Sequence, residues 1–121
     1  MYINVIIPCL NEEKSIGKVI DSIPTDIPGV NKIDVLVVDD GSSDNSARTA
    51  KDHGAPVVSH PFNMGVGVAF NTGMNEAIRL GAEVAVNIDA DGQFDPADIP
   101  TLVAPVIEGR ADFVTASRFK D

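Results

Sequence analysis

The sequence has no tryptophan, a single cysteine and no long apolar segment. Aromatic residues make up 5% of the chain and apolar residues 44%, so the core must be built from aliphatic side chains, which suits a parallel sheet buried on both faces. A lone Cys9 excludes an internal disulfide bond and makes a reducing, cytoplasmic compartment the simplest location. Without 18 consecutive uncharged apolar residues, this segment contains no membrane-spanning helix. The first apolar run lacks the length and basic start of a signal peptide.

Basic residues are also few. Nine Lys and Arg against eighteen Asp and Glu give a net charge of −9, which argues against nucleic acid and anionic membrane surfaces as direct partners. Many soluble domains are simply acidic, so the charge alone does not require a ligand. A bound cation is the alternative explanation.

Apolar segments alternate between strand and helix patterns, and 121 residues suffice for one domain with a real core. Short runs rich in β-branched residues predict five strands: Tyr2 to Ile7, Ile33 to Val38, Pro56 to Ser59, Val84 to Ile88 and Asp112 to Ala116. The alternation predicts an α/β fold of three layers, α/β/α, with a mostly parallel sheet. Ligands of such sheets bind beyond the carboxyl ends of the strands.

Helical periodicity predicts four helices with apolar faces against the sheet. The predicted faces are Ile16, Val19, Ile20 and Ile23 in the first helix, Val66, Phe70, Met74 and Ile78 in the third, and Leu102, Val103, Val106 and Ile107 in the fourth. Ser43 is the predicted cap of the second helix, which Gly54 ends. Pro100 and Pro105 predict a late or kinked start of the fourth helix after a turn at Asp95.

Polar residues follow the first two strands. Asn11, Glu12 and Glu13 come after the first strand, either as ligand contacts or as the cap and acidic first turn of a helix. No glycine occurs there before Gly17, which excludes the phosphate loop of a dinucleotide-binding fold. Asp39 and Asp40 follow the second strand, where they can accept hydrogen bonds from a base or ribose, or merely form a turn.

The end of the fourth strand is the most informative segment. Period-two spacing points Asp89 and Asp91 in the same direction, where at about 5 Å they repel by roughly 3 kcal/mol at an effective dielectric near 20. Mg²⁺ or Mn²⁺ would relieve that repulsion and complete its shell with substrate phosphate and water, with Gln93 as a further oxygen ligand or a phosphate contact. The alternative is an acidic turn that leads to the cap at Asp95.

A glycine-rich segment runs from Asn63 to Gly73. Gly65 and Gly67, at the start of a helix, would let backbone amides approach a diphosphate or a sugar. Close packing of the helix on the sheet explains the same glycines equally well. His53 and His60 have no metal-ligand spacing and are predicted to be solvated.

Five segments together resemble glycosyltransferase family 2: IPCLNEE (Ile7 to Glu13), VVDDGSSDNS (Val37 to Ser46), NMGVGVAFNTG (Asn63 to Gly73), NIDADGQFDP (Asn87 to Pro96) and ASRF (Ala116 to Phe119). They span nearly the whole chain in the family's order and spacing. The DADGQ and SRF segments are similar to the dolichyl-phosphate and polyprenyl-phosphate mannose or glucose synthase branch.

The resemblance implies a GT-A fold, whose Rossmann-like half binds a nucleotide-diphosphate-sugar, and an inverting hexosyl transfer that depends on Mg²⁺ or Mn²⁺. By matching positions, the implied nucleotide pocket is Pro8, Asn11 and Glu12, with Asp40 on the base or ribose and Asp39 behind it. The implied metal ligands are Asp89 and Asp91, with Gln93 beside them. Asp91 and Arg118 are the implied catalytic residues, Arg118 reaching a donor or acceptor phosphate because its planar guanidinium suits that anion.

The likeness also implies limits. Many relatives in this branch carry a basic residue where this chain has Val66, and family members continue into an acceptor-binding half. Residues 1–121 are therefore expected to be the nucleotide-sugar-binding domain, inactive alone. The full-length protein would work in envelope glycan synthesis at the cytoplasmic face of the membrane, with polyprenyl phosphate as acceptor.

Three alternatives remain from the sequence. The chain could be a non-catalytic nucleotide-sugar-binding module, which binding residues alone do not separate from an enzyme. A phosphoreceiver domain shares the alternation but needs a lysine after the fifth strand, where Ser117 and Arg118 stand. A nucleotidyltransferase is disfavoured because its glycine-rich loop after the first strand is missing.

Overall fold

Five parallel strands form one sheet in the order β3-β2-β1-β4-β5 in the computed structural model, which describes residues 1–107 and 114–115. The strands are β1 (Tyr2–Cys9), β2 (Lys32–Asp39), β3 (Val57–Ser59), β4 (Val84–Asn87) and β5 (Val114–Thr115). The predicted α/β class, the three layers and the parallel sheet are confirmed. The outer residues of the predicted fifth strand, Asp112 and Ala116, lie outside the described residues.

Within the described residues, four α-helices cover the two faces of the sheet. They are α1 (Ile16–Asp21), α2 (Ser46–Asp52), α3 (Val66–Arg79) and α4 (Ile99–Ile107). Buried residues of α1, α2 and α4 pack on one face, and α3 packs on the other. Because β1 lies at the centre, Ile3, Val5 and Ile7 face one layer and Ile6 the other, which explains why apolar residues occupy consecutive positions from Val5 to Ile7.

The predicted core face of the first helix is confirmed, since all four of its apolar residues are buried, although Ile23 lies two residues past the end of α1. Asp95 accepts a hydrogen bond from the Ala97 N–H and caps a 3-10 turn, Pro96–Asp98, from which α4 begins at Ile99. This turn is the one predicted from Pro100 and Pro105. No helix in the described part of the chain is long and apolar enough to cross a membrane.

The predicted core face of α3 is wrong at its two ends, although Met74, near its middle, packs against the core as predicted. Val66 is 75% exposed and Ile78 68% exposed, whereas the residues that α3 buries are Ala69, Gly73 and Ala77. A Cβ on Gly73 would overlap Ile6 Cγ2, so the helix lies too close to β1 for large side chains on this face. The pattern of large apolar residues therefore missed the small residues that make the closest contact with the sheet.

The predicted cap of α2 is also wrong. The helix begins at Ser46, with Asn45 as the N-cap residue and without a side-chain cap hydrogen bond. Ser43 instead donates its backbone N–H to Asn11 Oδ1 at 2.8 Å. The start of α2 is thus held by a neighbouring loop, while Gly54 ends the helix with a φ of +88°, as predicted.

Candidate functional site

The loops after β1 and β2 are tied to each other at the carboxyl edge of the sheet. The Asn11 N–H donates to Ser42 Oγ, the Glu12 N–H to Ser46 Oγ and the Glu13 N–H to Asp44 Oδ2, at 2.9, 2.8 and 3.2 Å. Ser46 is fully buried at the centre of these contacts. The backbone of the first loop is thereby fixed by side chains of the second.

Asn11 returns the contact in the opposite direction. Its Oδ1 accepts hydrogen bonds from the N–H groups of Ser43 and Asp44, and its backbone has a φ of +54°, a conformation that asparagine tolerates better than most residues. It does not cap the helix that follows, because α1 begins only at Ile16. Asn11 shapes the rim of the site from an exposed position.

The loop after β4 is joined to the same assembly through Ser15. The Ser15 hydroxyl donates to the Ala90 carbonyl oxygen at 2.7 Å, and Ala90 lies between the two predicted metal ligands. The loops after the three central strands of the sheet, β2, β1 and β4, therefore form one hydrogen-bonded rim.

Asp40 is 4% exposed and organises the segment before α3. Its Oδ1 accepts from His60 Nδ1 and the Met64 N–H at 2.8 and 2.9 Å, and its Oδ2 accepts from the Gly65 N–H at 3.0 Å. Burial raises the pKa of Asp40, but the hydrogen bonds from His60, Met64 and Gly65 outweigh that effect and leave the pKa below its ordinary value. A carboxylate has about four lone-pair sites, so one is left for a donor group on a ligand.

His60 was predicted to be solvated, and that prediction is wrong. Its side chain is 9% exposed, with Nδ1 on Asp40 and Nε2 2.8 Å from Thr72 Oγ1. The ring reaches this position because β3 ends at Ser59 and the chain turns towards α3. His53, by contrast, is partly exposed and lies 2.9 Å from the Asp21 carboxylate.

Asp39 points to the other face of the sheet from Asp40. It is 6% exposed and accepts hydrogen bonds from the Ser42 N–H at 3.2 Å and Ser59 Oγ at 3.5 Å. Cys9 lies nearby, and burial raises the pKa of its thiol to about 11, with the Asp39 charge adding to the effect. Asp39 therefore supports the loop after β2 from behind.

Two clefts adjoin each other above the strand ends. The first, of about 350 Å³, lies between the loop after β1 and the start of α3, and the second, of about 300 Å³, lies between the same loop and the end of β4. Pro8, Leu10 and Val66 line both. The first is completed by Cys9, Asp40, Asn63, Gly65 and Ala69, and the second by Glu12, Asp89, Ala90 and Asp91.

Val66 separates these clefts because of its place on α3. It lies three and seven residues before Ala69 and Gly73, on the side of the helix that faces the sheet. As the first residue of the helix it projects beyond the strand ends and enters the clefts instead of the core. An apolar side chain thus stands at the middle of the site.

Asp89 and Asp91 line the same cleft, the direction that period-two spacing predicts, although β4 already ends at Asn87. Asp91 Oδ1 accepts the Gln93 N–H at 3.0 Å, and Gln93 lines a neighbouring cleft that shares Asp91 and also includes Lys14 and Lys18. No group of three or more His, Cys, Asp or Glu side chains within the described residues forms a complete metal site. The paired carboxylates instead fit an ion that takes its remaining ligands from a bound phosphate and water.

The glycines near the clefts have different structural reasons. Gly41 has a φ of +79°, and a Cβ there would lie 2.6 Å from the Asn63 nitrogen, so the segment before α3 rests directly on this turn. Gly65 has a φ of +104° at the start of α3. Gly67 has neither a positive φ nor any atom within 4 Å of its missing Cβ, so no contact within the described residues requires a glycine there.

Sequence reasoning missed His60, Thr72, Ser15 and Ser46. His60 immediately follows β3, so its position at the carboxyl edge was a usable signal. The serines carried none, because their partners lie 34 and 75 residues away in the sequence. Arg118, the predicted phosphate contact, lies outside the described residues.

Residues 4–121 match the family model described as Glycosyl transferase family 2. The chain is 35% identical to a UDP-N-acetylglucosamine–dolichyl-phosphate N-acetylglucosaminyltransferase of Methanococcus voltae, over 98% of this chain and 53% of that protein. It is 34% identical to the undecaprenyl-phosphate mannosyltransferase of Micrococcus luteus, over 98% of this chain and 49% of that protein. The chain spans about half the length of these relatives.

The fold of the chain is similar to those of solved glycosyltransferase structures. Glucosyl-3-phosphoglycerate synthase of Mycobacterium tuberculosis, in complex with phosphoglyceric acid, matches with a TM-score of 0.70 and 34% identity, over 89% of this chain and 40% of that one. The same enzyme with Mn²⁺, UDP and glucosyl-3-phosphoglycerate matches with a TM-score of 0.69 and 32% identity, over 88% of this chain and 39% of that one. These likenesses set aside the phosphoreceiver alternative.

Proposed function

The chain belongs to glycosyl transferase family 2, and on that premise we propose that it binds the nucleotide-diphosphate-sugar donor of a metal-dependent, inverting sugar transfer to a polyprenyl phosphate. Relatives that act on dolichyl and undecaprenyl phosphate support the acceptor class. A structural neighbour that holds Mn²⁺ and UDP supports the donor class and the ion.

The charge of the two adjoining clefts carries the proposal. Their lining includes four acidic side chains, Glu12, Asp40, Asp89 and Asp91, and among the described residues no Lys, Arg or His. A diphosphate placed beside these carboxylates would be repelled. A divalent cation held by Asp89 and Asp91 changes the sign of that interaction, and hard oxygen ligands suit Mg²⁺ or Mn²⁺. Donor binding should therefore depend on the ion.

The donor would lie across both clefts. The nucleoside occupies the cleft of Pro8 and Asp40, where the remaining acceptor site of Asp40 meets a base or ribose donor group, and Asn11 and Glu12 shape the rim. The diphosphate extends past Val66 towards Asp89 and Asp91. Gly65 and Gly67 allow backbone amides to approach it, since neither presents a side chain.

The reaction breaks the bond between sugar and diphosphate, and negative charge develops on the leaving group. A divalent ion at the Asp89 and Asp91 carboxylates would supply charge stabilisation there without a proton donor. The protein's own part is to hold the donor against the rim of tied loops, with Asp91 and Arg118 as the proposed catalytic residues. An acceptor phosphate is already nucleophilic, so a strong base is unnecessary. The reaction would proceed at the cytoplasmic face of the membrane.

Thermal denaturation tests the proposal directly. A ligand that binds only the folded state at one hundred times its Kd stabilises it by about 2.7 kcal/mol. UDP-, GDP- and dTDP-sugars should be screened with Mn²⁺, with Mg²⁺ and with EDTA. We expect at least one donor to raise the Tm with the ion and not with EDTA.

Asp91→Asn and Asp98→Asn provide a matched pair. Both remove one negative charge, but Asp98 is exposed and lines neither cleft. Loss of outer-shell partners of a metal typically weakens binding 10- to 100-fold, so loss of a direct ligand should weaken ion-dependent donor binding at least about tenfold in Asp91→Asn. Equal donor affinities for the two variants would contradict the metal role.

A further inference from the structure

His60 is a buried imidazole with both ring nitrogens engaged. Nδ1 lies 2.8 Å from Asp40 Oδ1 and Nε2 2.8 Å from Thr72 Oγ1, in a side chain that is 9% exposed. It lines neither of the two clefts. The ring therefore lies behind the proposed donor site and acts on it only through its partners.

The hydrogen-bonding capacities of Asp40 and Thr72 define which ring nitrogen of His60 donates and which accepts. The Asp40 carboxylate only accepts, so Nδ1 carries a proton towards it. In the neutral ring Nε2 then accepts from the Thr72 hydroxyl, and both nitrogens are satisfied. Thr72 belongs to α3, so the ring connects the body of that helix to the carboxylate that holds the two residues just before it.

Asp40 passes this constraint to the wall of the donor site. Its two oxygens accept the N–H groups of Met64 and Gly65. Gly65 has a φ of +104°, immediately precedes Val66, and lines the cleft of about 350 Å³ together with it. Each carboxylate oxygen accepts one of these amides, and His60 Nδ1 adds a third hydrogen bond, to Oδ1. The His60 contact thereby anchors the carboxylate to a residue outside the segment that it holds.

We propose that His60 is a positioning residue of the donor site, which holds the Asp40 carboxylate so that the Met64–Gly65 backbone stays in the conformation that receives the nucleotide diphosphate. The inference rests on the proposed function for its ligand, and on the Asp40 and Thr72 contacts for its geometry. It predicts that donor affinity depends on the N–H at Nδ1 and much less on the rest of the ring.

Two amide substitutions separate the ring nitrogens. Asparagine at position 60 places an N–H close to the position of Nδ1, and glutamine places its amide close to that of Nε2. His60→Asn keeps the donor to Asp40, whereas His60→Gln keeps only the reach to Thr72. His53→Gln is the matched control, because His53 is a partly exposed histidine that lines neither cleft of the donor site.

Binding of UDP and of GDP, each with Mn²⁺, should be measured by calorimetry on the whole chain. With the nucleotide that binds the unsubstituted protein more tightly, we expect His60→Gln to lose about tenfold or more in affinity, the loss of one hydrogen bond to a charged group. His60→Asn and His53→Gln should stay within about threefold of the unsubstituted protein, a difference of less than 1 kcal/mol. Equal weakening in both His60 variants, or none in His60→Gln, would overturn the inference.

NMR of the ligand-free protein gives a readout that does not depend on nucleotide binding or on the folding of a variant. In the unsubstituted protein, the ring ¹⁵N shifts should show a protonated Nδ1, and the Met64 and Gly65 amides should exchange slowly. A ring protonated only at Nε2 would refute the inference. If no donor stabilises the unsubstituted protein in the thermal screen, the proposed function fails, and the ring tautomer with these two amides decides the role of His60 alone.

Discussion

Gly73→Ala and Gly67→Ala are expected to change stability in opposite directions. The two glycines lie six residues apart in α3, and each substitution adds one methyl group. A Cβ on Gly73 would overlap Ile6 Cγ2 and lie 3.4 Å from Val38 Cγ2, and both of those residues are fully buried. A Cβ on Gly67 would meet no atom within 4 Å.

The magnitudes follow from these surroundings. Overpacking a close-packed core costs about 1 to 3 kcal/mol. The upper half of that range applies to Gly73, because its Cβ would lie more than about 1 Å closer to Ile6 Cγ2 than two carbon atoms normally approach. Exchanging glycine for alanine in a helix returns about 0.4 to 1 kcal/mol. We therefore expect Gly73→Ala to lose roughly 1.5 to 2 kcal/mol and Gly67→Ala to gain roughly 0.5 kcal/mol.

Urea denaturation followed by circular dichroism measures both changes, with the slope m compared to confirm that the denatured state is unaltered. A Tm difference between the two variants of about 8 °C should accompany them, at roughly 4 °C per kcal/mol for a domain of this size. If Gly73→Ala were as stable as Gly67→Ala, α3 would not lie against β1 as closely as described. The assignment of the small residues as the packing face would then be refuted.

Two further predictions concern buried ionisable groups. Because the pKa of Asp40 is lowered from its ordinary value of 3.8, its contribution to stability is complete above about that pH and is lost as the pH falls towards the folded-state value. The unfolding free energy of Asp40→Asn should therefore fall less steeply below about pH 4 than that of the unsubstituted protein, with Asp98→Asn as the control. Parallel pH profiles for Asp40→Asn and the unsubstituted protein would refute this. Burial raises the pKa of the Cys9 thiol to about 11, and the residue is 2% exposed. A disulfide reagent at about pH 7.5 should therefore label Cys9 in the native protein at least about 100-fold more slowly than in the urea-unfolded chain. Rapid labelling of the native protein would show that Cys9 is accessible.

The sequence was sufficient for the strands, their parallel arrangement and the edge of the sheet at which Asp40, Asp89 and Asp91 lie, because the alternation of apolar runs and the positions of these residues after the strands are local signals. It was insufficient where the determining contact is distant. The face of α3 depends on how closely the helix approaches Ile6, which periodicity of large residues does not encode. His60 lies against Thr72 on α3. Its burial therefore could not be predicted until the face of α3 that packs on the sheet was known.

The same distinction applies within the site. Asp39 and Asp40 stand at the end of the second predicted strand, and the resemblance implied only that Asp39 lies behind Asp40. Which of the two faces the glycine-rich segment could not be inferred, because that depends on the side of the sheet that α3 covers. Structure was needed to find that Asp40 already holds two backbone amides and a histidine.

The ties among Asn11, Ser43, Ser46 and the loop after β4 have a consequence for engineering. Each loop presents its backbone to side chains of another, so a loop transplanted alone from a relative would arrive without its complementary partners. Chimeras intended to alter donor choice should exchange residues 10–15, 40–46 and 89–93 together. Single-loop grafts would be expected to lose the rim before they acquire a new specificity.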